Sequence, residues 1–60
     1  MTRLIRLKEL TGIVGYQRAA IYKKIALDEF PRPVSLGERA VAWRSDDVES
    51  WVNSRPIKLK

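Results

Sequence analysis

The residues best suited to polar recognition sit close together at the start of one stretch: Gln17, Arg18, Tyr22 and Lys23. The Arg18 guanidinium forks onto two acceptors, as the edge of a guanine presents them, and the Gln17 amide pairs similarly with adenine. Tyr22 and Lys23 follow one helical turn later, where a phenol and an ammonium meet phosphate oxygens. Ala19, on the same stripe, permits close approach or touches a thymine methyl. Arg39 stands apart, beside Gly37-Glu38, where a basic side chain reaches a minor groove or clamps a phosphate. Asp46 and Asp47 form a carboxylate pair of the kind used in acid–base catalysis. They follow Ser45 at the start of a helix, and first-turn anions that satisfy the helix dipole are the better account.

The missing residue types exclude more. The chain of 60 residues has no His and no Cys. It therefore has no imidazole base or ligand, no thiolate, no disulfide and no Cys-type zinc site. It also lacks a Gly-rich phosphate loop. Binding rather than catalysis is the expected function class, with no cofactor and no metal.

Charge sharpens this expectation. Twelve Lys plus Arg against seven Asp plus Glu give a net charge of +5, a bias toward polyanions. Residues 1–24 hold six basic groups and the single acid Glu9, whereas residues 25–60 hold six of each sign. All of the excess lies in the first 24 residues.

The elements that must position these residues follow from punctuation and periodicity. Arg3 to Arg6 is a short extended candidate. Leu7 to Val14 carries Leu7, Leu10 and Val14 at helical spacing, with no capping side chain at its start. Gly15 stops that helix, and Tyr16 and Gln17 complete a three-residue turn. Arg18 to Leu27 is the second helix. It turns Ala20, Ile21, the Lys24 stem and Ile25 inward, with Arg18, Ala19, Tyr22, Lys23 and Ala26 on the opposite stripe. Two short helices about a Gly-containing turn form a helix-turn-helix. Pro31 and Pro33 then forbid helix. Val34 to Leu36 and Arg39 to Trp43 alternate about Gly37-Glu38 and read as a hairpin, the wing. Ser45 caps a third helix, with Val48, Trp51 and Val52 on its apolar stripe, and Pro56 lies beyond its end. The expected fold is a small α+β winged helix-turn-helix: a short N-terminal strand, two helices, a β-hairpin wing and a C-terminal helix. Residues 1–56 form one domain, and residues 57–60 a disordered tail. A helix in the major groove meets base edges first with its N-terminal residues, which puts double-stranded DNA foremost as partner.

Plainer readings stand beside several of these. Lys23 and Lys24 suit a solvated helix face. Tyr22 suits the edge of a core with its hydroxyl wet, and the Arg39 stem could lie over Val41 and Trp43. Trp43 and Trp51 occupy apolar periodic positions and read as core rather than as stacking platforms. A protein-interaction module, with the basic helix meeting an acidic protein and no DNA, is the alternative function. No apolar run of about 7–15 residues marks a secretory signal, and none of roughly 20 residues marks a membrane span. A cytoplasmic location is expected, with no membrane partner.

Five segments taken in order resemble the AlpA-type prophage regulators of the excisionase-like, MerR-like winged helix-turn-helix class. They are Arg3-Leu4-Ile5-Arg6-Leu7-Lys8-Glu9, Gln17-Arg18-Ala19-Ala20-Ile21-Tyr22, Phe30-Pro31-Arg32-Pro33-Val34-Ser35-Leu36-Gly37, Arg39-Ala40-Val41-Ala42-Trp43 and Val48-Glu49-Ser50-Trp51-Val52. The resemblance runs from about Arg3 to Arg55, and its most specific part is F-P-x-P-V-x-L-G followed by R-A-V-x-W. It implies DNA binding near phage or genomic-island attachment sites. The implied roles are excisionase (recombination directionality factor), transcriptional regulator of an integrase gene, or both. An integrase partner and cooperative self-association on DNA belong to that picture. Arg18 and Lys23 fit the family's basic positions, and Tyr22 its I-Y pair. The family usually carries Ser before the Arg and Ser-Thr after it. Here Gln17, Ala19 and Ala20 stand there, so two hydroxyls able to bond phosphate are missing, the cap before the Arg is weaker, and the recognised base sequence is left open.

Overall fold

A computed structural model describes residues 2–57. Its elements are β1 (Leu4–Ile5), α1 (Leu7–Val14), α2 (Arg18–Ala26), β2 (Val34–Ser35), β3 (Val41–Arg44) and α3 (Ser45–Asn53). The sheet is antiparallel in the order β1-β3-β2. This is a winged helix-turn-helix in which β3 lies between the wing's other strand and the N-terminal strand. Leu4 pairs with Arg44 and Ile5 with Trp43 on one side; Val34 pairs with Ala42 and Ser35 with Val41 on the other.

The helix-turn-helix forms for the reasons its residues suggest. Gly15 adopts a left-handed backbone (φ 78°), and its N–H donates to the Thr11 carbonyl at 3.0 Å. Only glycine reaches that conformation without penalty. Tyr16 and Gln17 complete the turn. Ile21 and Ile25 on α2 meet Leu10 of α1 in one cluster with Ile5, Phe30, Trp43 and Val48. Leu7, Val14, Tyr16, Val41 and Trp51 pack around it half-buried. Trp43 is wholly buried, and its Nε1–H donates to the Pro31 carbonyl at 2.9 Å. Trp51 is only half-buried; its Nε1–H donates to the Glu29 carbonyl at 2.8 Å, and its ring meets Phe30 edge-on at 4.8 Å. The two indoles thus pin the 29–31 segment from both sides.

The structure differs from the sequence reading at four places. Ser45 does not cap α3: Arg44 holds the N-cap position without a side-chain cap bond. Ser45 instead ties down the N-terminal strand, accepting from the Arg3 N–H through Oγ (2.9 Å) and donating its own N–H to the Arg3 carbonyl (2.8 Å). Asp46 accepts from the Thr2 hydroxyl, while both aspartates keep their place in the first turn. Helix α2 ends at Ala26 rather than Leu27, ahead of the prolines. The wing strands are shorter than their alternation suggests. Leu36 N–H donates to Ala40 O at 2.8 Å, which leaves Arg39 in the turn rather than on a strand. Finally, Ala42 is fully buried although it alternates with Val41 and Trp43; β3 is in contact with both α1 and α3. Of the expected tail, Ile57 is 86% exposed, and residues 58–60 lie outside the described residues.

The stop of α2 carries a stability prediction. Asp28 N–H donates to Ile25 O (3.0 Å) and Glu29 N–H to Lys24 O (2.8 Å), closing the helix with Asp28 at φ 59°. Glycine is the usual occupant of that position. Asp28→Gly relieves the backbone and loses an exposed ion pair to Arg32 of small worth. The variant should be more stable by about 0.5–1 kcal/mol, a rise of several degrees in melting temperature for so small a domain. A thermal melt followed by circular dichroism checks this. A lower melting temperature would mean that the Arg32 pair outweighs the backbone relief.

Candidate nucleic-acid interface

The outer stripe of α2 is fully presented. Arg18, Ala19, Tyr22, Lys23 and Ala26 are all exposed, and the helix contains no acidic residue. Gln17 holds the N-cap position in extended conformation, and its side chain makes no capping bond, so the amide is free to meet another molecule. Opposite this stripe, Ile21 and Ile25 are buried and Lys24 is half-buried. Lys24 is occupied elsewhere: its ammonium lies 4.9 Å from the Tyr16 ring and 4.0 Å from Glu29. Only Lys23 of the adjacent pair points outward unpaired among the described residues.

Beside the stripe lies a concave notch of about 330 Å³ lined by Arg6, Leu7, Lys8, Arg18, Tyr22, Arg39 and Val41. Three elements converge there: the start of α1, the first turns of α2 and the wing. Arg18, Tyr22 and Arg39 of the sequence candidates meet in it, while Gln17, Ala19 and Lys23 do not line it. Tyr22 serves two surfaces. Its ring meets buried Trp43 edge-on at 6.3 Å, and the Arg18 guanidinium lies 6.0 Å from its centroid. The core thereby steadies an aromatic wall against which Arg18 rests.

The sequence presents Arg6 and Lys8 as charge without a site; in the structure both are exposed and line the notch. The pairing of Ile5 with Trp43 then carries the following residues toward the wing.

The electrostatics of this face are uncompensated. No acidic residue lines the notch. Glu9, the single acid among residues 1–24, is turned to Arg3 in a two-pronged ion pair, with Nη1 and Oε1 at 3.1 Å. Hydrogen bonds from Arg3 hold the Glu9 carboxyl below its usual range, and Glu9 in turn raises the Arg3 guanidinium. Arg6, Lys8, Arg18, Lys23 and Arg39 have no salt-bridge partner among the described residues. A larger groove of about 750 Å³ lies between α3 and the 28–32 segment, and it is mixed in charge, with Asp28, Glu29 and Asp47 facing Arg32 and Arg55. The basic notch and stripe are therefore the surface suited to a polyanion.

The family model described as prophage CP4-57 regulatory protein (AlpA) matches residues 3–56. This chain belongs to the AlpA family. The matched span runs from just before β1 to beyond α3, so the notch and the α2 stripe both lie within the part common to AlpA proteins. The chain is also 40% identical over 53 residues to the uncharacterized protein ORF88 of Enterobacteria phage P4, covering 88% of this chain and 60% of that protein. It thus spans about three-fifths of the length of that curated relative. No solved structure matches. Among the described residues, no helix of this AlpA chain is long and apolar enough to cross a membrane.

Proposed function

We propose that the chain is a sequence-specific double-stranded DNA-binding regulator of a prophage or genomic island. Its role is that of an excisionase (recombination directionality factor), a transcriptional regulator of an integrase gene, or both, acting in the cytoplasm. The observation that carries this reading is the unpaired basic surface formed by the notch and the outer stripe of α2, on a chain of the AlpA regulatory family. Helix α2 enters the major groove. Arg18 and Gln17 read base edges near its N-terminus, Ala19 allows close approach, and Tyr22 and Lys23 meet the backbone. Arg39 on the wing contacts the flanking backbone or minor groove. The protein supplies geometry, and the strand chemistry belongs to an integrase. A module of this size makes a small interface, so tight occupancy calls for neighbouring copies or that partner.

Fluorescence anisotropy against attachment-site and random duplexes across a salt series tests the reading. Binding to both at about 50 mM salt, tighter for the specific duplex, is the expected result. Absence of binding to either would leave the basic face to an acidic protein and remove the DNA reading. Within the same series, Lys23→Ala should weaken all sequences alike and lower the salt slope by about one. A change in sequence preference would instead make Lys23 a base contact.

A further inference from the structure

We propose that the notch seats a single backbone phosphate of the duplex, gripped jointly by Arg6, Lys8 and Arg39. This rests on the DNA-binding reading above. It adds to it a defined ligand group and two residues, Arg6 and Lys8, that lie outside both the recognition helix and the wing.

Several observations lead here. Arg6, Lys8, Arg18 and Arg39 arrive from three elements at one concavity, and no carboxylate lines it. Like charges gathered on a folded surface repel, and they are relieved by a shared anion. Of the two acids that neighbour these residues along the chain, Glu9 is engaged by Arg3, and Glu38, beside Arg39, does not line the notch. At about 330 Å³ the notch is too small for a duplex. Only a group that protrudes from one can enter, and the protruding anionic groups are the phosphates. Leu7, Tyr22 and Val41 form its less polar walls, which lowers the local dielectric and strengthens attraction between cation and phosphate.

The seat also has a use. A phosphate contact fixes register without reading sequence. Arg18 also lines the notch and rests against Tyr22, so a phosphate held by the other three cations sets the distance from the backbone to the base edge that Arg18 reaches. Arg6, Lys8 and Arg39 are thus positioning residues for recognition by α2.

The test is a phosphate-by-phosphate scan. A duplex is selected by the full-length chain from a random-sequence pool, and each phosphate in turn is replaced by a neutral methylphosphonate. Affinities are measured for the parent, Arg6→Ala, Arg39→Ala, the double variant and Lys23→Ala, each shown by circular dichroism to be folded. One position should weaken the parent about tenfold or more. At that position the double variant should lose nothing further, while Lys23→Ala keeps full sensitivity. Arg6→Lys should recover part of the parent's sensitivity there. If Arg6 and Arg39 each respond to a different phosphate, or to none, while DNA still binds, the shared seat is overturned and the DNA reading stands. If the pool yields no bound duplex, both fall together.

Discussion

Trp43→Ala is expected to abolish the folded state. The indole is wholly buried, sits on the central strand opposite Ile5, carries the Tyr22 ring on its edge and holds the Pro31 carbonyl through Nε1. Truncating a buried aromatic to Ala costs about 3–5 kcal/mol. A 60-residue domain has about 3–9 kcal/mol in total, so the change removes most of the stability or all of it. The far-ultraviolet dichroism of the variant should show no cooperative transition, and its remaining tryptophan, Trp51, should emit as if in water. Trp43→Phe separates the two contributions. It keeps much of the apolar volume and strands the Pro31 carbonyl, a loss of about 1–3 kcal/mol. Trp51→Ala should be milder, since that ring is only partly buried. A Trp43→Ala variant that melts cooperatively within a few degrees of the parent would show that the core is centred elsewhere.

Arg18→Ala should leave the fold intact and reduce the ability to discriminate. The side chain is exposed and has no salt-bridge partner among the described residues. It stands at a helix N-terminus, where a cation opposes the dipole. Its removal should therefore change stability by no more than about 0.5 kcal/mol. In the proposed role of bidentate guanine reader it should contribute about 1–3 kcal/mol of specificity, so the ratio of specific to random affinity should fall by roughly 5–150-fold. The ratio must be measured at one fixed salt concentration, because electrostatic affinity shifts steeply with ionic strength. If both affinities drop equally and the ratio holds, Arg18 is a backbone contact and Gln17, whose amide makes no capping bond, becomes the reader.

Much of this architecture is legible in the sequence because it rests on local rules. Gly15 marks the turn by its backbone alone, and Ile21 with Ile25 declares the inner face of α2. The alternation around Gly37 announces a hairpin. What was not legible depends on residues far apart in the chain. Ser45 looks like a cap until Arg3, 42 residues earlier, takes its hydroxyl. Arg6 and Lys8 look like loose surface charge until β1 pairs with β3 and brings them to the wing. Asp28 hides the end of α2 because a non-glycine residue there gives no warning of a left-handed backbone, and the prolines behind it draw the eye instead. The α2 stripe was visible as periodicity, whereas the notch exists only as a junction of three elements.

The pairing of Ile5 with Trp43 has a consequence for the making of the protein. At about 5–20 residues per second, Trp43 is added roughly 2–8 s after Ile5. For the second half of that interval, once Lys24 is added, the nascent chain carries the six basic groups and single acid of residues 1–24 but lacks the strand that pairs with β1 and brings Arg6 and Lys8 to the wing. A chain ending before β3 would keep those basic groups without the concavity that gathers them. The notch forms only with the central strand, so a chain cut after α2 would carry the charge without the shape that concentrates it.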